Sequence, residues 1–112
     1  MSTDIDTAID KCDAYSKQHP ELRYSVWSIF EELDFEKIAF PGVVRITYEA
    51  WGDTIVTIES NRLVAPTWGT LWAEAEKLIY TSGDLHHIYI ESFTPGGVES
   101  DGTQLLIMNC GS

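Results

Sequence analysis

Residues 67–83 read Thr67-Trp68-Gly69-Thr70-Leu71-Trp72-Ala73-Glu74-Ala75-Glu76-Lys77-Leu78-Ile79-Tyr80-Thr81-Ser82-Gly83, and the fold class turns on them. Trp68, Leu71, Trp72, Ala75, Leu78 and Ile79 recur at three and four residues, the spacing that gathers side chains on one helical face. Thr67 offers a hydroxyl to the first turn, and Gly83 stands where a left-handed terminus wants no Cβ, so both helix ends are fixed. Beyond it, residues 86–93 alternate as a strand, residues 94–103 are a Gly-rich loop, and residues 104–109 form a last strand. Before it, Pro41-Gly42 breaks the chain. Val43, Val44, Ile46 and Tyr48, then Ile55, Val56 and Ile58, make a hairpin about Trp51-Gly52-Asp53, with residues 61–66 a connection. Nearer the N-terminus, Ile5, Ala8, Ile9, Cys12 and Tyr15 mark a helix capped by Ser2 or Thr3, its dipole favoured by Asp4 and Asp6. Pro20 then opens a second helix carrying Leu22, Val26, Ile29, Phe30 and Leu33, with a strand over residues 23–30 as the alternative. The expectation is an α+β domain of order α-α-β-β-α-β-β. It has a mostly antiparallel four-stranded sheet of two hairpins, with helices packed on one face.

The 112 residues make one domain, residues 1–112. Eighteen Asp and Glu against seven Lys and Arg give a net charge of −11. Such a balance argues against binding nucleic acid directly or an anionic membrane, both of which attract basic surfaces. A hydrophobic share of 44% is enough for a core and against disorder. Cys12 and Cys110 fit no disulfide scaffold or CxxC motif and are expected as free thiols. The N-terminus carries acids where a secretory signal has bases, and no apolar run approaches a membrane span, so a cytoplasmic location is expected.

Catalytic signatures are missing from the sequence: it has no GxSxG elbow, P-loop, GxGxxG, HExxH or CxxC. His86 and His87, as strand neighbours, face opposite ways and cannot share a metal without a bulge. Asp84 with His86 has the spacing of an oriented base, but no nucleophile accompanies it. Glu99, Asp101 and Gly102 resemble a fragment of a calcium loop with too few ligands. Neither an enzyme, a metal nor a cofactor is expected.

The acids cluster. Asp4, Asp6, Asp10 and Asp13 face Lys11 alone in residues 4–13, while Glu31, Glu32, Asp34 and Glu36 occupy residues 31–36 without a base. Asp6/Asp10 and Glu32/Glu36 are like-charge i, i+4 pairs on the expected helices, with Lys17 relieving Asp13 and Lys37 relieving Asp34. Residues 78–112 contain Asp84, Glu91, Glu99 and Asp101 and no Lys or Arg. Trp68 and Trp72 belong to a core stripe. Trp51, at a turn, and Tyr89 and Phe93, on the strand face shared with His87 and Glu91, form the expected contact patch, with Glu49 and Asp53 nearby.

The stretch Ser82-Gly83-Asp84-Leu85-His86-His87-Ile88-Tyr89-Ile90-Glu91-Ser92-Phe93, with the closing Asn109-Cys110-Gly111-Ser112, resembles small open reading frames of bacteriophages and prophages. In size, charge and style the chain is similar to their short acidic anti-defence proteins, anti-CRISPR inhibitors among them, several of which present carboxylates where a host complex expects nucleic acid. That resemblance implies an inhibitor in the bacterial host cytoplasm. The function expected is a non-enzymatic protein-binding module with a basic protein or complex as partner. Its charged contacts are Asp10, Asp13, Glu31, Glu32, Asp34 and Glu36. The alternatives are a small enzyme or ligand-binding protein with a pocket at the sheet's end around Asp84, His86 and Tyr89, and a structural homodimer through sheet faces or an edge strand.

Overall fold

The computed structural model describes residues 2–50, 56–83 and 86–111. In chain order its elements are α1 (Ser2–Gln18), β1 (Val26–Trp27), β2 (Val43–Ala50), β3 (Val56–Glu59), β4 (Leu63–Val64), α2 (Trp68–Ser82), β5 (Tyr89–Val98) and β6 (Gln104–Gly111). The class is α+β, but the sheet is six-stranded and mixed. Its spatial order is β1-β5-β6-β2-β3, with β4 also on β2. β2 pairs antiparallel with β3, as the hairpin pattern predicts, and β5 pairs antiparallel with β6. The two sequence-local pairings are joined by a parallel one, β2 beside β6, and β1 adds a second parallel pairing on β5.

α2 forms where its periodicity puts it. Thr67 accepts from the Thr70 amide at 3.1 Å, and Gly83 ends the helix at φ 73°. Its other early amides are met by the preceding chain: Trp68 N–H donates to the Lys37 carbonyl at 3.1 Å and Gly69 N–H to that of Phe35 at 2.8 Å. Leu71, Trp72, Ala75, Leu78 and Ile79 join Cys12 of α1, Val44, Ile46 and Tyr48 of β2, Ile90 and Phe93 of β5, and Leu106 and Met108 of β6 in one buried cluster. Ile9, expected on the buried stripe of α1, is exposed.

Residues 20–36, all described, form no second helix. After Pro20 the chain turns, and Val26 N–H and Ser28 N–H donate to the carbonyls of Ile88 and Ile90 at 2.8 and 2.9 Å, adding β1 to the sheet edge. One long-range contact and one local contact fix this extended path over the helical alternative. The buried Glu76 carboxylate accepts from the amides of Tyr24 and Ser25, and Trp27 Nε1 donates to the carbonyls of Ile29 and Glu32, both at 3.0 Å. Residues 31–36 are therefore turns and irregular chain, so Glu32 and Glu36 do not face one another along a helix.

β5 also departs from expectation, running to Val98 through residues read as loop. Beyond Ile90 it is an edge that β1 does not cover, where the missing N–H of Pro95 costs no partner. A register shift there frees carbonyls that Gln104 Nε2 meets at Gly96, 3.0 Å, and Leu105, 2.8 Å. A second shift matters more. Ile90 faces Cys110 but Ser92 faces Asn109, leaving Glu91 as an unmatched residue, a β-bulge. The alternation reverses across it, so Phe93 turns into the core beside Trp27, with ring centroids 6.2 Å apart, and not outward with Tyr89. On the far edge, Ser60, between β3 and β4 in the chain, is tied to β2: its Oγ accepts from Ile46 N–H at 2.9 Å and its own N–H donates to the Ile46 carbonyl. β4 itself lies within the expected connection and pairs Leu63 with Val44. Among the described residues no helix is long and apolar enough to cross a membrane.

Candidate functional site

Parallel pairing of β2 with β6 stops at Thr47 and Ile107. Past that point a cleft of about 690 Å³ opens, lined by Tyr48, Glu49, His87, Glu91, Ile107, Asn109 and Cys110. Its volume falls in the range of sites for small ligands or single side chains. It lies at the sheet's end where a pocket is expected, but His87 and Glu91 line it in place of His86 and Tyr89. His86 is exposed in a turn before β5, and Tyr89 is partly exposed opposite Val26 and Gly111.

The bulge and one glycine position Glu91. A Cβ on Gly111 would stand 2.5 Å from Glu91 Oε2 and 2.7 Å from its Cδ, so the carboxylate occupies the space that glycine leaves. Asn109 is oriented from the other side, its Nδ2 donating to Ser92 Oγ at 2.9 Å and Thr94 Oγ1 at 3.1 Å. That arrangement keeps the amide oxygen as an acceptor. No Lys or Arg appears in the lining. Sequence reasoning named Glu49 and Glu91 beside the contact patch but missed Asn109 and Gly111, whose roles follow from a register that only the bulge reveals.

The six carboxylates singled out by clustering lie elsewhere. Asp10, Asp13, Glu31, Asp34 and Glu36 are exposed and Glu32 is half-buried. Tyr15 of α1 stacks on Phe35 with centroids 4.4 Å apart, which brings α1 against residues 31–36. Burial, then the charges of Glu21 and Glu36, push the Tyr15 phenol above its usual range. A depression of about 360 Å³ lies here, with Tyr15, His19, Glu36 and Thr70 in its walls. Among the described residues none of the six carboxylates has a basic partner, Lys17 and Lys37 included. The C-terminal acids differ: Arg45 Nη1 lies 3.1 Å from Glu99, and Arg62 Nη2 lies 2.7 Å from Asp101. Residues distant in sequence thus supply bases to Glu99 and Asp101 but, among the described residues, not to Glu91.

Trp51, Asp53 and Asp84 lie outside the described residues. Phe93, being buried, is not a surface contact. The turn at residues 99–103 closes by Glu99 N–H donating to the Thr103 carbonyl at 2.8 Å. Among the described residues no group of three or more His, Cys, Asp or Glu is placed to hold a metal ion. No protein-family model, curated protein or solved structure matches the chain.

Proposed function

We propose that this protein is a non-catalytic binding module that engages a basic surface of another protein or complex through Asp10, Asp13, Glu31, Glu32, Asp34 and Glu36. In its sharpest form it is a phage-encoded inhibitor that occupies a nucleic-acid-binding surface of a bacterial defence complex. The supporting observation is how charge is paired. Arg45, Arg62 and Lys77 are committed to Glu99, Asp101 and Glu74, while among the described residues the six carboxylates have no ion-pair partner. Such a surface steers a basic partner over distances of roughly the 8–10 Å Debye length and loses that pull as salt rises. Tyr89 and Glu91 extend the contact surface on the sheet's outer face.

The test is capture from bacterial lysate by the wild-type chain and by a variant with all six acids changed to Lys. One basic complex, bound at low salt, released at high salt and lost by the variant, is the expected outcome. Equal capture of the same complex by both chains at both salt concentrations overturns the electrostatic reading.

A further inference from the structure

We infer that the cleft between the diverging ends of β2 and β6 seats an arginine side chain presented by the partner protein. This rests on the binding-module reading for the source of the arginine, and on the cleft for everything else. The cleft brings together two carboxylates from different strands, Glu49 of β2 and Glu91 of β5, with the Asn109 amide of β6. Neither carboxylate takes a hydrogen bond or ion pair from another described residue, and the Asn109 amide nitrogen is spent on Ser92 and Thr94. Beside His87, which precedes β5, the cleft therefore offers negative charge and acceptors spread over three strands.

A ligand that answers it must be cationic and rich in donors. Guanidinium is planar and carries five N–H groups in a fixed fork, whereas ammonium is a compact point charge with three. Ile107, exposed on the same strand as Asn109, supplies apolar lining for the alkyl stem, which a bare cation would leave uncovered. The bulge makes the arrangement specific. Without the unmatched residue Glu91, strand alternation carries through unreversed, and without a glycine at 111 the carboxylate is displaced. Glu49, Glu91 and Asn109 contact the arginine, and Gly111 is a positioning residue.

The experiment is a titration of the full isotope-labelled chain at low salt with acetyl-Gly-Arg-Gly-amide, followed by the amide resonances. Matched peptides carrying lysine or the neutral isostere citrulline serve as comparisons. The arginine peptide is expected to give saturable shifts at Glu49, Glu91, Ile107 and Asn109, the lysine peptide weaker ones, and citrulline none. Glu49→Gln with Glu91→Gln should lower affinity at least about tenfold, the loss of charge-assisted hydrogen bonds at both acids. Both side chains are exposed, so an unchanged spectrum elsewhere verifies the fold. Gly111→Ala should weaken binding in the wild type and add nothing in the Glu91→Gln background, a dependence that a general structural defect would not produce. Citrulline shifting the same amides equally, or arginine shifts confined to residues 10–36, overturns the arginine seat and leaves the six-carboxylate reading standing. Failure of the lysate test with this titration intact overturns that reading alone.

Discussion

Glu76 is the residue on which the N-terminal third depends. It is buried, yet its Oε1 accepts from Ser25 N–H at 2.8 Å and Ser25 Oγ at 2.6 Å, and its Oε2 from Tyr24 N–H at 3.1 Å. Trp72 Nε1 donates to the same Ser25 hydroxyl at 2.9 Å, so one carboxylate holds three donors directly and a fourth through Ser25. Glu76→Gln keeps the shape but sets an amide N–H₂ against a backbone N–H. It should destabilise the protein by about 2–3 kcal/mol, the cost of leaving buried polar groups unmet, read as a lower urea midpoint. Ala65 carries the opposite opportunity. Its φ of 44° lies in the left-handed region, where a Cβ costs about 1–2 kcal/mol, while glycine's extra freedom when unfolded takes back roughly 0.5–1. Ala65→Gly should therefore gain roughly 0.5–1 kcal/mol and raise the melting temperature. Cys12 is pushed up to about 11 by burial and then by the charge of Asp13. The unfolded thiol ionises from about pH 9 and the folded one does not, so stability should fall as pH rises from 9 toward 11, and alkylation of native Cys12 at pH 8 should be slow.

The elements divide by the range of the forces that make them. α2 and both its caps were legible from residues 67–83 because a helix face, a Thr hydroxyl and a Gly terminus are local signals. The β2–β3 hairpin was legible for the same reason. Residues 20–36 misled because Leu22, Val26, Ile29 and Leu33 carry a helical spacing, while the deciding partners, Glu76 and the Ile88 and Ile90 carbonyls, lie some fifty to sixty residues away. The faces of β5 were half legible: Ile90 went to the core as expected, but nothing local announces that Glu91 is skipped by β6 and that Phe93 follows Ile90 inward. The turn after β5 is held by Asp101. Thr103 N–H donates to its Oδ1 at 3.0 Å, and that bond first, then Arg62, keeps its carboxyl below the usual 3.8. With the folded value depressed, the contribution is complete above the unfolded value and is lost as pH falls through the lower folded one. Carboxyl resonances followed against pH should place Asp101 below 3.8, and Asp101→Asn should remove the acid-side loosening of this turn.

For the whole molecule, the total of −11 matters less than its distribution. Glu99 and Asp101 near the C-terminus are answered by Arg45 and Arg62, whereas among the described residues the acids singled out on α1 and on residues 31–36 are not. The clusters were legible in the sequence; the compensation at residues 99–101 was not, since it needs β2 to lie beside β6. That same neighbourhood bears on how fast the chain can fold. Val44 pairs with Gln104 and Val26 with Tyr89, each about sixty residues along the chain, so the central sheet closes only after long loops have formed. Search time, and not local propensity, then limits the rate. Leu106→Ala in the parallel pair should slow refolding markedly, whereas Trp27→Phe at the two-residue edge strand should act mainly by speeding unfolding. On the ribosome the sheet must wait for its last strand: β6 begins at Gln104, so a nascent chain short of it holds β2 without its central neighbour.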